Sequence, residues 1–310
     1  MKRRQFNQLL LGTPLVAGSI GRTAFSSDSG VEPVSLENNQ FLKTIPVSGE
    51  QLPAVGMGTW ITFDVPPRTK PLDQRTEVLR RFYKAGGAML DSSPMYGYAE
   101  QILGHCLTRL NHPEQTFSAS KIWTPVDNQG PLQMQTTENL WTVKQMDLMF
   151  VHNLVNWKTH LPQLREWKDS GRIRYTGVST SHGRRHEKLE QLFKQEEMDF
   201  VQLTYNMVDR DTEERLIPMA ADHGIAVVAN RPFKRGQLIK QFDKRPLPGL
   251  ATELGCSTWA QYLLLFVVSH PQITVAIPAT SQPEHMDENM AVMQMEMPDA
   301  ATRKAMLKTI

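Results

Sequence analysis

Cysteine is scarce: the 310-residue chain has two, Cys106 and Cys256, far apart and without the short spacings of a metal site. Their scarcity excludes a disulfide framework and a zinc site, and both read as free buried thiols in predicted helical regions. Long runs of one charge are also missing. Lys and Arg number 34 against 32 Asp and Glu, interspersed to a formal net charge of +2. Such a balance offers no electrostatic track for a phosphate backbone, so no nucleic-acid partner is expected. No early glycine-rich phosphate turn and no long-period repeat is visible; "GMGTW" is only a partial glycine match. Hydrophobic residues make up 40% and charged residues 21%, the balance of a globular chain with a sizeable core.

The N-terminus differs from the rest. "MKRRQFNQLLLGTPLVAGSIGRTAF" has a basic head, Lys2 with Arg3 and Arg4, then an apolar stretch from Leu9 to Ile20 too short to span a bilayer. It reads as a signal peptide, and the arginine pair before Gln5 and Phe6 resembles a twin-arginine export signal. Residues 1–36 are therefore expected to be signal peptide and linker, leaving 37–310 as the folded domain. The expected setting is the periplasm or beyond, with the twin-arginine export machinery as a partner and no stable membrane span after processing.

From Phe41 onward short apolar strands alternate with amphipathic helices, the pattern of an α/β protein with a parallel sheet. An opening hairpin, "FLKTIPVSGEQLP", turns at Ser48 and Gly49. Strand candidates follow at "VGMGTW", "AMLDSS", "FSASKIW", "DLMFVHN", "RYTGVST", "FVQLTYN", "IAVVANRP" and "ITVAIPAT". Eight strand–helix units in this length predict a (β/α)8 TIM barrel with an N-terminal β-hairpin, rather than a doubly wound sheet. The seventh unit is interrupted by a long irregular stretch from Arg231 to about Ser257, of the kind that is functional or mobile.

Active sites of such barrels lie at the C-terminal ends of the strands. The second strand ends in Asp91 with Tyr96 in its loop, the third in Lys121 and the fourth in His152. Four polar residues brought to one rim make a proton-donating site. An ammonium beside a phenol lowers its pKa from ~10, so Lys121 is expected to make Tyr96 a better acid. Asp91 would hold Lys121 in place and charged, and His152 would hydrogen-bond the oxygen of a bound substrate. Trp60 and Trp123, after the first and third strands, are candidate apolar walls for that substrate. No metal site is expected.

The same residues carry a resemblance. "GGAMLDSSPMYGYAEQILG", "SASKIW" and "DLMFVHN" resemble the aldo-keto reductase family, whose catalytic Asp, Tyr, Lys and His all have counterparts here. The resemblance runs from Phe41 to about Met293 and implies reduction of a small carbonyl substrate by a nicotinamide cofactor, NADP with NAD possible. For the cofactor it implies Gly58 and Thr59, Ser179 and Thr180 in "YTGVSTS", and Gln202 in "FVQLTYN". It adds Asn230 and Arg231 in "VVANRPF", Arg235 nearby, and Thr280, His285, Glu288 and Asn289 in "IPATSQPEHMDENM". The chain departs from the family where Thr180 stands for asparagine, Asn230 for a stacking aromatic, Ala279 for lysine and His285 for the arginine that grips the 2'-phosphate. Lys234 and Arg235 are alternative cations for that phosphate, and the pair Arg184 and Arg185 is a lesser one. Two other functions compete with a reductase: a cofactor-binding sensor or partner subunit with vestigial chemistry, and a Schiff-base lyase using Lys121 as nucleophile. Oligomeric state is left open.

Overall fold

A computed structural model describes residues 39–310, and the expected signal peptide and linker lie outside the described residues. The expected hairpin forms from β1 (Leu42–Thr44) and β2 (Gln51–Pro53), antiparallel. The eight expected strands follow as β3 (Met57–Gly58), β4 (Met89–Asp91), β5 (Phe117–Ile122), β6 (Met146–His152), β7 (Ile173–Ser179), β8 (Phe200–Thr204), β9 (Ala226–Asn230) and β10 (Val275–Ala276). They pair in parallel in chain order. Isolated parallel bridges, Val55 to Ala276 and Gly58 to Ala279, join the last strand to the first and close the barrel. The fold is the (β/α)8 barrel that the alternation predicts.

Period two along each strand decides what goes inside. Phe117 and Ala119 of β5, Leu148 and Phe150 of β6, Tyr175 of β7, Phe200 of β8, and Ala226 and Val228 of β9 form one inner core. Gly177 sits where this core is tightest: a Cβ there would lie 2.6 Å from the Phe200 carbonyl oxygen and 2.8 Å from the Phe150 ring. The hairpin closes the N-terminal end, adding Ile45 and Leu52 to the inner core, while the Tyr175 hydroxyl donates to Glu50 Oε2 at 2.6 Å and is hydrogen-bonded to the Ser48 hydroxyl at 2.8 Å.

Helices such as Thr69–Lys84, Ala99–Arg109, Gln129–Trp141 and Trp157–Asp169 pack their apolar faces on the outer side of the strands in a second, larger core. Val78, Leu79 and Phe82 form a buried stripe on the first of them. The seventh unit corrects the expectation of a long irregular segment. Residues 237–253 contain two short helices, Gln237–Phe242 and Gly249–Glu253, because Leu238, Phe242 and Ala251 are buried and Phe242 stacks on Trp259 at 4.8 Å. Cys106 and Cys256 are buried free thiols, though Cys256 lies in the turn after a helix rather than within one. Among the described residues no helix is long and apolar enough to cross a membrane, and no cluster of His, Cys, Asp and Glu is suited to a metal ion.

Candidate active site

The inward-facing series of each strand changes character at its C-terminal end. After Phe117 and Ala119 comes Lys121, after Leu148 and Phe150 comes His152, and after Tyr175 and Gly177 comes Ser179. Phe200 is followed by Gln202, Ala226 and Val228 by Asn230, and Met89 by Asp91. One polar layer thus caps an apolar barrel interior, and register places His152 beside Ser179 and Ser179 beside Gln202.

Within that layer Lys121 is the central cation. Its ammonium, fully buried, donates to Asp91 Oδ1 and Oδ2 at 2.8 Å each and to the Ser92 carbonyl at 2.5 Å. Burial alone would lower its pKa, but the charges of Asp91 and Tyr96 and the hydrogen bonds to Asp91 outweigh it and hold Lys121 above the ordinary lysine value. Gln202 Nε2 donates to Asp91 Oδ1 at 2.7 Å, and Thr59 Oγ1 donates to the Asp91 carbonyl at 2.9 Å. Asp91 is thereby oriented by three strands.

Tyr96 lies over this pair, with Lys121 Nζ 5.2 Å from its ring centre. The expected lowering of the phenol is corrected by the structure: burial raises its pKa and outweighs the pull of Lys121, with Asp91 adding to the rise. The phenol is held in its neutral, proton-bearing form. His152 accepts or donates one hydrogen bond through Nδ1, to Ser179 Oγ at 2.8 Å. Burial first, then the charges of Lys121, His182, Arg185 and Arg231, push its pKa down to about 3, so the imidazole is neutral at pH 7.

A cavity of about 360 Å³ opens above these groups. It brings together Asp91, Tyr96, His152, Gln202, Asn230, Arg231 and Arg235 with Gly58, Thr59 and Trp60. Ser179 and Thr180 lie buried at the end of β7, outside its lining. Thr280, His285, Glu288 and Asn289 are also outside the lining, at and within the helix Pro283–Ala291, where Asn289 is buried and His285 exposed. Trp123 does not line the cavity either; it is 41% exposed, its backbone N–H held by Gln133. The cavity walls include three apolar residues that the sequence reading passes over: Ile61, Met95 and Phe233. Met95 precedes Tyr96 in the same loop and Phe233 belongs to "NRPF", so position beside the assigned residues was the available signal.

Asn230 does not offer a stacking face. Its side-chain amide donates to the Thr180 carbonyl at 2.8 Å and accepts from Thr204 Oγ1 at 2.8 Å, tying β7, β8 and β9 together. Lys234 is paired with Asp209 at 2.8 Å, whereas Arg235 lies over the Trp60 ring at 4.4 Å, joining the loops after β3 and β9 at the mouth. Two observations fit a polar, anionic group seated against this rim. Thr180 Oγ1 is buried without a hydrogen-bond partner. Arg231 and Arg235 have no carboxylate within ion-pair distance among the described residues.

Comparison with known proteins agrees with this geometry. Residues 54–305 match the model of the Aldo/keto reductase family. The chain is 28% identical over 268 residues to methylglyoxal reductase YeaE of Escherichia coli K12, covering 83% of this chain and 92% of that protein. It is 21% identical to the NADH-specific methylglyoxal reductase of the same organism, covering 84% and 96%. Among solved structures it resembles an aldo/keto reductase from Klebsiella pneumoniae in complex with NADP and acetate, with a TM-score of 0.72 at 20% identity over 86% of this chain and 94% of that one. A matched domain that spans the whole barrel, from just ahead of β3 into the last helix, establishes that this chain belongs to the aldo/keto reductase family.

Proposed function

We propose that the protein is an NAD(P)H-dependent oxidoreductase that reduces a small aldehyde or ketone, with Tyr96 as the proton donor. The observation that carries this reading is the neutral phenol of Tyr96 set over the Lys121–Asp91 ion pair, with neutral His152 on the same cavity. A bound reduced nicotinamide supplies the hydride. The chain's own residues do the rest. Tyr96 delivers its proton to the carbonyl oxygen as negative charge develops there, and Lys121 stabilises the phenolate left behind. Asp91, fixed by Gln202, keeps Lys121 from wandering, and His152 hydrogen-bonds the same oxygen without competing for the proton.

Gly58, Thr59, Ser179, Thr180, Gln202 and Arg235 are the residues we assign to the cofactor's nicotinamide and phosphate end. Thr280, His285, Glu288 and Asn289 would meet its adenosine end. The names of the two Escherichia coli relatives support a 2-oxoaldehyde as the first substrate to test. A Schiff-base lyase is disfavoured, because the buried Lys121 is held protonated by Asp91 and an ammonium has no lone pair with which to attack. Consumption of NADPH on adding methylglyoxal, with the matching alcohol as product, tests the reaction. Protein that binds the cofactor yet oxidises none across a panel of carbonyls would leave the sensor or partner reading in its place.

The basic head and short apolar stretch at the N-terminus support export by the twin-arginine machinery, which carries folded proteins with their cofactors. Cell fractionation of the full chain and of an Arg3→Lys, Arg4→Lys variant tests this: retention of the variant in the cytoplasm is expected, and equal export of both would overturn it.

A further inference from the structure

Arg231 is the one cation of its loop with neither an ion pair nor a ring contact among the described residues, Asp209 and Tyr96 acting on it only at longer range: Lys234 is held by Asp209 and Arg235 by Trp60. Its backbone is fixed in the left-handed region at φ 55°, an uncommon conformation for a residue other than glycine and one that clusters at functional sites. The surrounding bonds hold it there. Asn206 Nδ2 donates to the Arg231 carbonyl at 3.1 Å, Lys234 N–H donates to it at 2.9 Å, and Asn230 is tied to two neighbouring strands. The side chain lines the catalytic cavity and acts electrostatically on both Tyr96 and His152. Burial and the charge of Arg235 both make a guanidinium costly there.

Arg231 lines the same cavity as Tyr96 and His152, and so do the apolar side chains of Trp60, Met95 and Phe233. We infer that Arg231 binds the carboxylate of the substrate, and that the preferred substrate is a 2-oxo acid with an apolar side chain. The inference rests on the carbonyl-reductase reading and refines it. In the reaction the carbonyl carbon gains a hydride, with its two electrons, from the reduced nicotinamide, and the carbonyl oxygen gains the proton of Tyr96. The C=O π bond is replaced by C–H and O–H bonds, the nicotinamide leaves oxidised, and the carboxylate is unchanged. A planar guanidinium suits that carboxylate because it offers two parallel N–H donors.

Benzoylformate and its methyl ester share a skeleton and differ in charge, so the pair isolates the carboxylate. The wild-type protein is expected to favour the acid in kcat/KM by about tenfold or more. Arg231→Gln should raise KM for the acid by about 30-fold or more, change the ester by less than about threefold, and leave NADPH affinity, read from tryptophan fluorescence, within about threefold. Arg231→Lys should recover part of the loss for the acid. Equal use of acid and ester by the wild type overturns the inference, as does an Arg231→Gln variant that loses NADPH affinity in step with substrate, which would make the cofactor's phosphates the partner. If the wild type reduces neither compound nor any other carbonyl, the reductase reading has failed. Calorimetric titration with benzoylformate then decides for Arg231: binding that weakens in Arg231→Gln upholds it, and no binding overturns it.

Discussion

Ser120 donates a 2.6 Å hydrogen bond to Glu100, and Ser120 is the residue before Lys121 on β5. Strand alternation turns Ser120 outward where Lys121 turns inward, so the carboxylate on helix Ala99–Arg109 grips the outer face of the strand that carries the ammonium. Glu100 also accepts from Trp141 Nε1 at 3.0 Å and from Thr137 Oγ1 at 3.2 Å, both on helix Gln129–Trp141. Burial raises its carboxyl pKa against these hydrogen bonds.

Glu100→Ala leaves three buried donors without an acceptor and should destabilise the protein by roughly 3 kcal/mol or more. Glu100→Gln keeps one acceptor oxygen and should cost less. Urea unfolding of both variants checks the order; equal stability of Glu100→Ala and wild type would show that water replaces the carboxylate.

Tyr96→Phe keeps the ring and removes the proton, so carbonyl reduction should fall by at least ~100-fold with cofactor affinity little changed. Lys121→Met should lower kcat similarly, and it should also destabilise the fold by leaving Asp91 buried without its cation. Near wild-type turnover by either variant removes that residue from the mechanism.

His152 gives a pH signature. Its folded-state pKa is depressed to about 3, while in the unfolded chain a histidine titrates near ~6.5. Between those values the unfolded state binds more protons, so stability is present above ~6.5 and is lost as pH falls toward 3. His270, pushed down to about 4, acts in the same direction. His152→Asn should therefore flatten the loss of stability between pH 6.5 and 4 without abolishing it. A denaturation series at several pH values tests this, and an unchanged slope would assign the loss to other groups. No limb of the rate profile between pH 5 and 8 should belong to His152.

Cofactor choice should be loose. An exposed His285 grips a 2'-phosphate less well than a guanidinium does, and Lys234 is already paired with Asp209. NADPH and NADH affinities are expected to differ by less than ~100-fold. Fluorescence titration measures both, and a larger preference for NADPH would point to Arg235.

The barrel and its four candidate catalytic residues were legible in the sequence because both follow from local pattern: strand period and strand ends. Asp91, Lys121 and His152 each terminate an apolar run, and a barrel has only one place for such ends to meet. What the sequence hid depends on packing between distant segments. Glu100 reads as the start of a helix until Ser120, Thr137 and Trp141 converge on it. Trp123 reads as a cavity wall, yet Gln133 holds its backbone and leaves the ring in solvent. The helices at 237–253 are too short for a periodic signal and exist because Leu238, Phe242 and Trp259 bury one another. Tyr96 was misjudged in its energetics, since the cation beside it was visible in the chain and the extent of its desolvation was not.

The closure of the barrel gives the cavity a second role. β3 and β10 are two residues each, and they meet through two isolated bridges and a few hydrogen bonds, among them Gly56 N–H to the Ala276 carbonyl at 2.8 Å and Gly58 N–H to the Pro278 carbonyl at 3.0 Å. This seam is short beside the ladders of the central strands, and Gly58, Thr59, Pro278 and Ala279 on its two sides all line the cavity. A dinucleotide resting on both sides would act as a cross-link over the seam, and part of its binding free energy would go to holding the sheet shut. Amide exchange at Gly56 and Gly58 should then slow on cofactor binding by more than exchange within β6, whose ladders on both sides are long.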